Sequence, residues 1–220
     1  MATETNLTIL FDLDGTLTDS APGIKNCVRF GYESLGLKVP SEDQLQDFIG
    51  PPLYLGARLA GLPGELIEDF ISAYRVRFAE VGWQENSVYP GILNLLTELQ
   101  AGGYRLAVAT SKPEVFARKI VAHFGMEHFF DFIGGATLDN TRSLKADVIS
   151  YVLENLDSPE RAIMIGDREH DVLGARVTGL DAIAVTWGYG SATEIATCEP
   201  KWVVSEPEEI SNIIANLGEV

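Results

Sequence analysis

Leu7-Thr8-Ile9-Leu10-Phe11 is a short run of apolar and β-compatible residues, and Asp12-Leu13-Asp14-Gly15 breaks it abruptly. The run predicts a buried strand that ends in a tight turn. The same texture returns in the second half of the chain. Tyr104 to Ala109, Phe130 to Ile133, Arg161 to Ile165, Ala182 to Thr186 and Trp202 to Val204 all read as strands. Helical patterns over 92–99, 114–124, 144–156, 172–177 and 207–217 separate them. Near-continuous apolar strands alternating with helices predict an α/β fold: a doubly wound parallel sheet covered on both faces.

The stretch between the first strand and this region has another rhythm. Ile24, Val28, Gly31 and Leu35 fall at helical spacing, with Pro22 suited to a first turn. Ser41-Glu42-Asp43-Gln44 has the capping-box pattern before Leu45, Phe48 and Ile49. Pro51-Pro52 predicts a stop and a new helix over 53–60. From Pro63 on, Leu66, Phe70, Tyr74 and Phe78 recur every four residues with Ile67 and Ile71 beside them, an amphipathic helix. The expected organisation is an α/β core from 1–19 and 86–220, with an all-helical insert over 20–85. Asp19-Ser20 and Asn86 to Pro90 are the expected hinges. An insert at the end of the first strand is expected over the carboxyl edge of the sheet, where such sheets bind ligands.

Length and composition narrow the function. The chain has 220 residues, 46% of them hydrophobic, enough to bury a core without disulfides. Sixteen basic residues against 32 acidic ones give a net charge of −16. That argues against nucleic acid or an anionic membrane as partner. A small anionic substrate stays compatible, because a local cation can reverse the sign at a site. Cys27 and Cys198 form neither a disulfide framework nor a metal spacing and suit a reducing compartment. Met1 to Asn6 lacks the basic start of a signal peptide, and no apolar run approaches the ~20 residues of a membrane span. A soluble, cytoplasmic protein is expected.

Polar residues follow several strands directly. Asp12 and Asp14 follow the first, Thr110 follows YRLAVA, and Asp167 follows RAIMIG. Carboxyl ends of parallel strands lie at one edge, so these residues should converge in one crevice. Lys145, opening a helix after Thr141-Arg142-Ser143, can reach the same edge. Clustered carboxylates repel one another and favour a divalent cation. Oxygen ligands without clustered His or Cys point to Mg²⁺ rather than zinc. A hydroxyl and an ammonium beside Mg²⁺ suit a phosphoryl group. One carboxylate can then act as nucleophile, and a second, two residues on, as general acid and base.

Phe11-Asp12-Leu13-Asp14-Gly15-Thr16-Leu17 resembles the DxDGT signature of the haloacid dehalogenase superfamily of phosphohydrolases. Thr110, Lys145 and Gly166-Asp167-Arg168-Glu169-His170-Asp171 resemble its second, third and fourth motifs, in order. The long stretch between Asp12 and Thr110 resembles members with a helical cap. Thr18-Asp19-Ser20, Phe48 to Leu53, Thr110-Ser111-Lys112-Pro113 and Thr141-Arg142-Ser143 resemble the branch of phosphoglycolate phosphatases and 5′-nucleotidase-like phosphatases. The resemblance implies Mg²⁺-dependent hydrolysis of a small phosphorylated metabolite through an aspartyl-phosphate. It implies Asp12 as nucleophile and metal ligand, and Asp14 as general acid/base that also gives a backbone carbonyl to the metal. Thr110 and Lys145 would hold the phosphoryl group, Asp167 would complete the metal ligands, and Asp171 would hold a metal-bound water. A phosphomutase of the β-phosphoglucomutase kind would share every one of these residues. A receiver-like phospho-acceptor would share the acceptor Asp, Thr and Lys, though not the insert or Asp14.

Other residues admit two readings. Trp187-Gly188-Tyr189-Gly190 either borders the crevice or forms a glycine-rich turn with an aromatic lid over the core. His170 reads as exposed. In the insert, Arg58, Arg75 and Arg77 read as solvated, and the turn from Gly50 to Leu53 is the better candidate to face a substrate.

Overall fold

The computed structural model describes residues 7–50, 53–139, 141–157 and 159–218. Met1 to Asn6 and the Pro51-Pro52 turn lie outside the described residues. The chain begins β1 (Leu7–Phe11), β2 (Thr18–Asp19), α1 (Ala21–Ser34), α2 (Glu42–Gln46), α3 (Leu53–Leu59), α4 (Ile67–Glu80) and β3 (Ser87–Val88). It continues α5 (Ile92–Ala101), β4 (Arg105–Pro113), α6 (Glu114–His123), β5 (Phe132–Ala136) and α7 (Lys145–Asn155). It ends β6 (Arg161–Gly166), α8 (Glu169–Val177), β7 (Asp181–Val185), α9 (Ala192–Cys198), β8 (Trp202–Val204) and α10 (Pro207–Gly218). Two compact units result, one of Met1–Thr18 with Val88–Val220, the other Asp19–Ser87. The chain passes between them at β2 and β3, which pair as a two-stranded ribbon.

The first unit is a six-stranded sheet in the order β5-β4-β1-β6-β7-β8, parallel throughout. From β1 the chain builds outward through β4 and β5, then crosses back to β6, β7 and β8. The strand order therefore reverses around β1, and a crevice opens at the carboxyl ends there. On one face Leu10, Ala107, Ala109, Met164, Ala182 and Ala184 pack with Val148, Ile149 and Val152 of α7 and Val172 and Ala175 of α8. Ile9, Phe11, Leu106, Val108, Ile163 and Ile165 alternate with them along the strands, equally buried on the other face. Burial on both faces explains why these strands read as apolar runs rather than alternating patterns.

Several element ends differ from expectation. The spacing predicts β4 to stop at Ala109, yet it runs to Pro113, with a register shift between Thr110 and Pro113. A bulge of this kind absorbs the unpaired residues and re-aims side chains. Thr110 and Lys112 are both buried there while Ser111 is exposed. β5 begins two residues later than expected, because Glu127–Phe129 forms a 3₁₀ turn, and it continues through Gly134-Gly135. Glycine is poor strand material, but a Cβ on Gly134 would strike Val152 and Phe132, and one on Gly135 the backbone at Lys112 and Glu114. Close packing outweighs propensity. α9 was not expected, although Ser191 caps it by accepting from the Glu194 N–H at 3.1 Å.

The second unit is helical. Ser41 and Gln44 form the expected capping box on α2. Tyr32 makes edge-to-face contacts with Phe48 and Phe70, its ring centroid 5.3 Å from that of Phe70, and Phe48 and Phe70 meet at a tilt. Tyr74 and Phe78 stack at 5.7 Å. The stripe of α4 begins at Ile67 rather than Leu66, since Gly64–Leu66 is a 3₁₀ turn. Arg58 and Arg75 are exposed. Arg77, expected to be solvated, is instead partly buried, and its guanidinium grips Glu85 with two hydrogen bonds of 2.8 and 2.9 Å. The same group lies 3.3 Å from the Cys27 sulfur on α1, so the pair ties α4, α1 and the exit turn together.

Arg77 holds the Glu85 carboxyl below its ordinary range, with burial opposing. A depressed carboxyl stabilises the folded state above its unfolded pKa, and that contribution is lost as pH falls through the folded value. Allowing for partial exposure, Glu85→Gln should cost about 1 kcal/mol at neutral pH. The difference from wild type should close in urea titrations below about pH 4. A pH-independent difference would show that charge is not what the pair contributes.

Candidate active site

The register of the sheet assembles the site. The Asp12 N–H donates to the Ile165 carbonyl at 2.9 Å, which sets the end of β1 beside the end of β6. Asp12, Asp167 and Asp171 then present carboxylate oxygens within 4.8 Å of one another, all three residues buried. Asp171 is the third residue of α8, and its Oδ2 accepts the Arg168 N–H at 3.0 Å. One cation serves the cluster directly. Lys145 Nζ lies 2.9 Å from Asp12 Oδ1 and 2.6 Å from Asp171 Oδ1, and donates to the Ala109 carbonyl at 3.1 Å. An ammonium has three donors, so these partners occupy Lys145 fully. Burial alone would lower its pKa, but Asp12 and Asp171 outweigh burial and hold it above the lysine range.

Three carboxylates against one ammonium leave two negative charges uncompensated if all ionise. Asp167 carries the strain. Burial, then the neighbouring Asp171 and Asp12, push its carboxyl well above the ordinary range, against the Tyr189 N–H and Arg168. Its oxygens accept from Thr16 Oγ1 at 3.2 Å and the Tyr189 N–H at 2.7 Å. The donors are all oxygen, and the surplus charge is negative. Both features fit a hard divalent cation such as Mg²⁺.

Glycines give the acids room. Gly15 has φ +85°, a left-handed conformation that favours glycine, and a Cβ there would overlap the Asp167 carboxylate. A Cβ at Gly188 would strike the Gly15 carbonyl and Asp167, and one at Gly190 the Asp167 backbone. The Trp187 indole N–H donates to the Thr16 carbonyl at 3.0 Å. Of the two readings of residues 187–190, the structure has the one in which this loop borders the crevice. His170 is exposed, as read.

The remaining candidate residues divide. Thr110 is buried in β4 where the register shift begins, and its hydroxyl oxygen accepts the Lys112 N–H at 3.2 Å. Asp14 does not join the carboxylate triad with its side chain. Its Oδ2 lies 2.6 Å from Lys112 Nζ instead. Three contributors escaped the sequence reading. Thr16 sits within the quoted signature but was given no role of its own. Lys112 stands in the quoted Thr110-Ser111-Lys112-Pro113 stretch but was given no role of its own. Glu194 accepts from Arg168 Nε at 2.7 Å and the Glu169 N–H at 2.9 Å, which ties α9 to the Asp167 loop. The pattern Ser191-x-x-Glu194 was the signal for that helix.

This fold and acid cluster define a class. The chain belongs to the haloacid dehalogenase-like hydrolases, whose family model matches residues 9–185. It is 48% identical over 185 residues to a protein named tyrosine-protein kinase PtkA from Mycobacterium tuberculosis, covering 84% of this chain. The match spans 63% of the mycobacterial protein's length. It is 43% identical over 194 residues to a 5′-nucleotidase of Pseudomonas aeruginosa, covering 87% of this chain and 88% of that one. The crystal structure of a predicted phosphatase from Clostridium acetobutylicum superimposes with a TM-score of 0.88 at 41% identity, covering 95% of this chain and 98% of that one. No described helix is long and apolar enough to cross a membrane.

Lys145→Met would strand the buried carboxylates without their cation. Breaking a buried ion pair in this way costs about 3–5 kcal/mol. The loss should appear as a lower urea midpoint, with unchanged dependence on urea, in the presence of EDTA. A loss under about 1 kcal/mol would mean that Lys145 does not hold the cluster together.

Proposed function

We propose that the protein hydrolyses the phosphate monoester of a small metabolite, of nucleoside 5′-monophosphate or phosphoglycolate type, with Asp12 as nucleophile. One observation carries the reading: two carboxylates two residues apart are held by different lysines in different surroundings. Asp12 lies in the buried triad on Lys145, and Asp14 lies outside it on Lys112. Separate environments let two like groups take separate roles. The 43% identity to a 5′-nucleotidase supports the substrate class.

Asp12 attacks phosphorus with the oxygen that Lys145 does not hold, and the ester oxygen departs as the aspartyl-phosphate forms. Asp14 gives that oxygen its proton. Asp14 then takes a proton from the water that attacks the aspartyl-phosphate, which frees phosphate and restores Asp12. The Thr110 hydroxyl, accepting from the Lys112 N–H, is left to donate to a phosphoryl oxygen. Lys145 adds positive charge beside the transferring group. Asp12, Asp167 and the Asp14 backbone carbonyl would hold Mg²⁺, with Asp171 supporting its bound water. That ion would offset the surplus negative charge and draw charge from the phosphoryl oxygens. The helical unit, inserted a few residues after Asp14, would act as the cap that selects the rest of the substrate, in a cytoplasmic protein.

The relatives named tyrosine-protein kinase support a second reading. In it Asp12 takes the γ-phosphoryl of ATP, ADP leaves, and a tyrosine hydroxyl replaces water as acceptor. Incubation with γ-labelled ATP and with a labelled nucleoside 5′-monophosphate separates the two. Hydrolysis releases labelled phosphate from the monophosphate, whereas kinase activity places label from ATP on tyrosine. Asp12→Asn should abolish either, since an amide is a poor nucleophile. A folded Asp12→Asn variant keeping a tenth of the wild-type rate would contradict both.

The metal is tested without activity. Mg²⁺ should raise the wild-type unfolding temperature, by about 2.7 kcal/mol of added stability at a hundredfold excess over Kd. Asp167→Asn should remove most of that gain. No gain in the wild type, or an undiminished gain in the variant, would count against Mg²⁺ at this cluster.

A further inference from the structure

We infer that Lys112 is a positioning residue: its ammonium holds Oδ2 of the Asp14 carboxyl group and so sets the orientation from which that group, in its protonated form, gives its proton to the leaving group. The inference rests on the hydrolytic reading above and assigns a role to a residue to which that reading gives none.

The pair is unusual for a strand-end lysine. The side chain of Lys112 is 5% exposed and that of Asp14 19%, with Nζ and Oδ2 2.6 Å apart. A buried ammonium needs a charged partner to be tolerated. The backbone is shaped to deliver it. The bulge in β4 inserts Ser111 and Lys112 between residues paired with Gly135 and Ala136. Gly135 leaves space for the Lys112 carbonyl, where a Cβ would collide. The Lys112 N–H is fixed on Thr110 Oγ1.

Asp14 needs such a hold. Its backbone is pinned, since the N–H groups of Leu17 and Thr18 donate to the Leu13 carbonyl at 3.0 and 2.9 Å and that of Gly15 to Thr18 at 2.8 Å. The carboxylate still turns about its own bonds. Lys145 is fully occupied by Asp12, Asp171 and Ala109. The acids are thus divided: Lys145 holds Asp12 and Asp171, and Lys112 holds Asp14. Without Lys112, Asp14 loses the cation that holds it and faces a site with surplus negative charge. A buried ion pair adds little net stability over apolar replacements, but catalytic groups must stay within about 0.5 Å of productive geometry. Orientation is what this pair provides.

The test compares two esters with the same aromatic ring, p-nitrobenzyl phosphate and p-nitrophenyl phosphate. The benzyl alkoxide needs a proton to leave, whereas p-nitrophenolate leaves without one. The readout is kcat/KM, which covers the steps through departure of the leaving group. Lys112→Met should lower it about 10–100-fold on the benzyl ester, as a misplaced general acid does. On the phenyl ester the loss should stay under about threefold. Combined with Asp14→Asn, Lys112→Met should add no further loss, because there is no acid left to position. Equal losses on both esters would show that Lys112 binds substrate or supports the fold, and an additive double variant would show that it acts independently of Asp14. Either overturns the inference while leaving the hydrolytic reading intact. If Lys112→Met does not fold, Lys112→Gln is read by the same two criteria. A wild type that hydrolyses neither ester overturns the hydrolytic reading and this inference with it.

Discussion

Three carboxylates within 4.8 Å of one another in a protein interior are the constraint around which this chain is arranged. Like charges that close in low dielectric repel strongly, and a site of this kind persists only if its compensation is built in. Lys145 supplies part of it, at 2.9 and 2.6 Å from two of the acids. Backbone N–H groups of Arg168 and Tyr189 and the Thr16 hydroxyl supply more. Glycines at 15, 166 and 188 make room for acid side chains that a Cβ would displace, and Gly190 makes room for the Asp167 backbone. Each residue would be a poor choice for stability alone, and they are explained together by the cluster.

The parallel sheet makes such a concentration possible. β1 lies at the centre, with β4 on one side and β6 on the other. Both outer lobes of the sheet are wound away from it, so the loops after β1, β4 and β6 meet without crossing. The bulge at the end of β4 adds an acid–base pair separate from the triad. Two carboxylates two residues apart in sequence therefore stand in unlike electrostatic surroundings.

Much of this was legible before the structure. Strands buried on both faces announce themselves as apolar runs, and three of them, β1, β4 and β6, lead into the polar residues Asp12, Thr110 and Asp167. Capping patterns fixed α2 in detail. What stayed hidden depended on contacts between residues distant in sequence. Lys112 drew no role because a bulge cannot be read from one strand; it depends on Gly135 in the next. Arg77 looked solvated because its partner, Glu85, lies beyond the end of its helix. The strand was read to end at Ile133, and its continuation through Gly134-Gly135 depends on Val152 packed against Gly134 and on the Lys112 and Glu114 backbone against Gly135. Asp14 was read as the general acid/base that also gives its backbone carbonyl to the metal, and only coordinates show its side chain turned toward Lys112.

The account's central claim is that the buried cluster exists to make Asp12 a phosphoryl acceptor. The direct measurement is to quench the protein rapidly during turnover of a nucleoside 5′-monophosphate, reduce any acyl-phosphate with borohydride, and locate the altered residue by peptide mass spectrometry. Reduction of an aspartyl-phosphate converts that aspartate to homoserine. The account predicts conversion at position 12 and at no other acid, dependent on substrate. Turnover without conversion at position 12, or conversion at position 14, 167 or 171 instead, would contradict it.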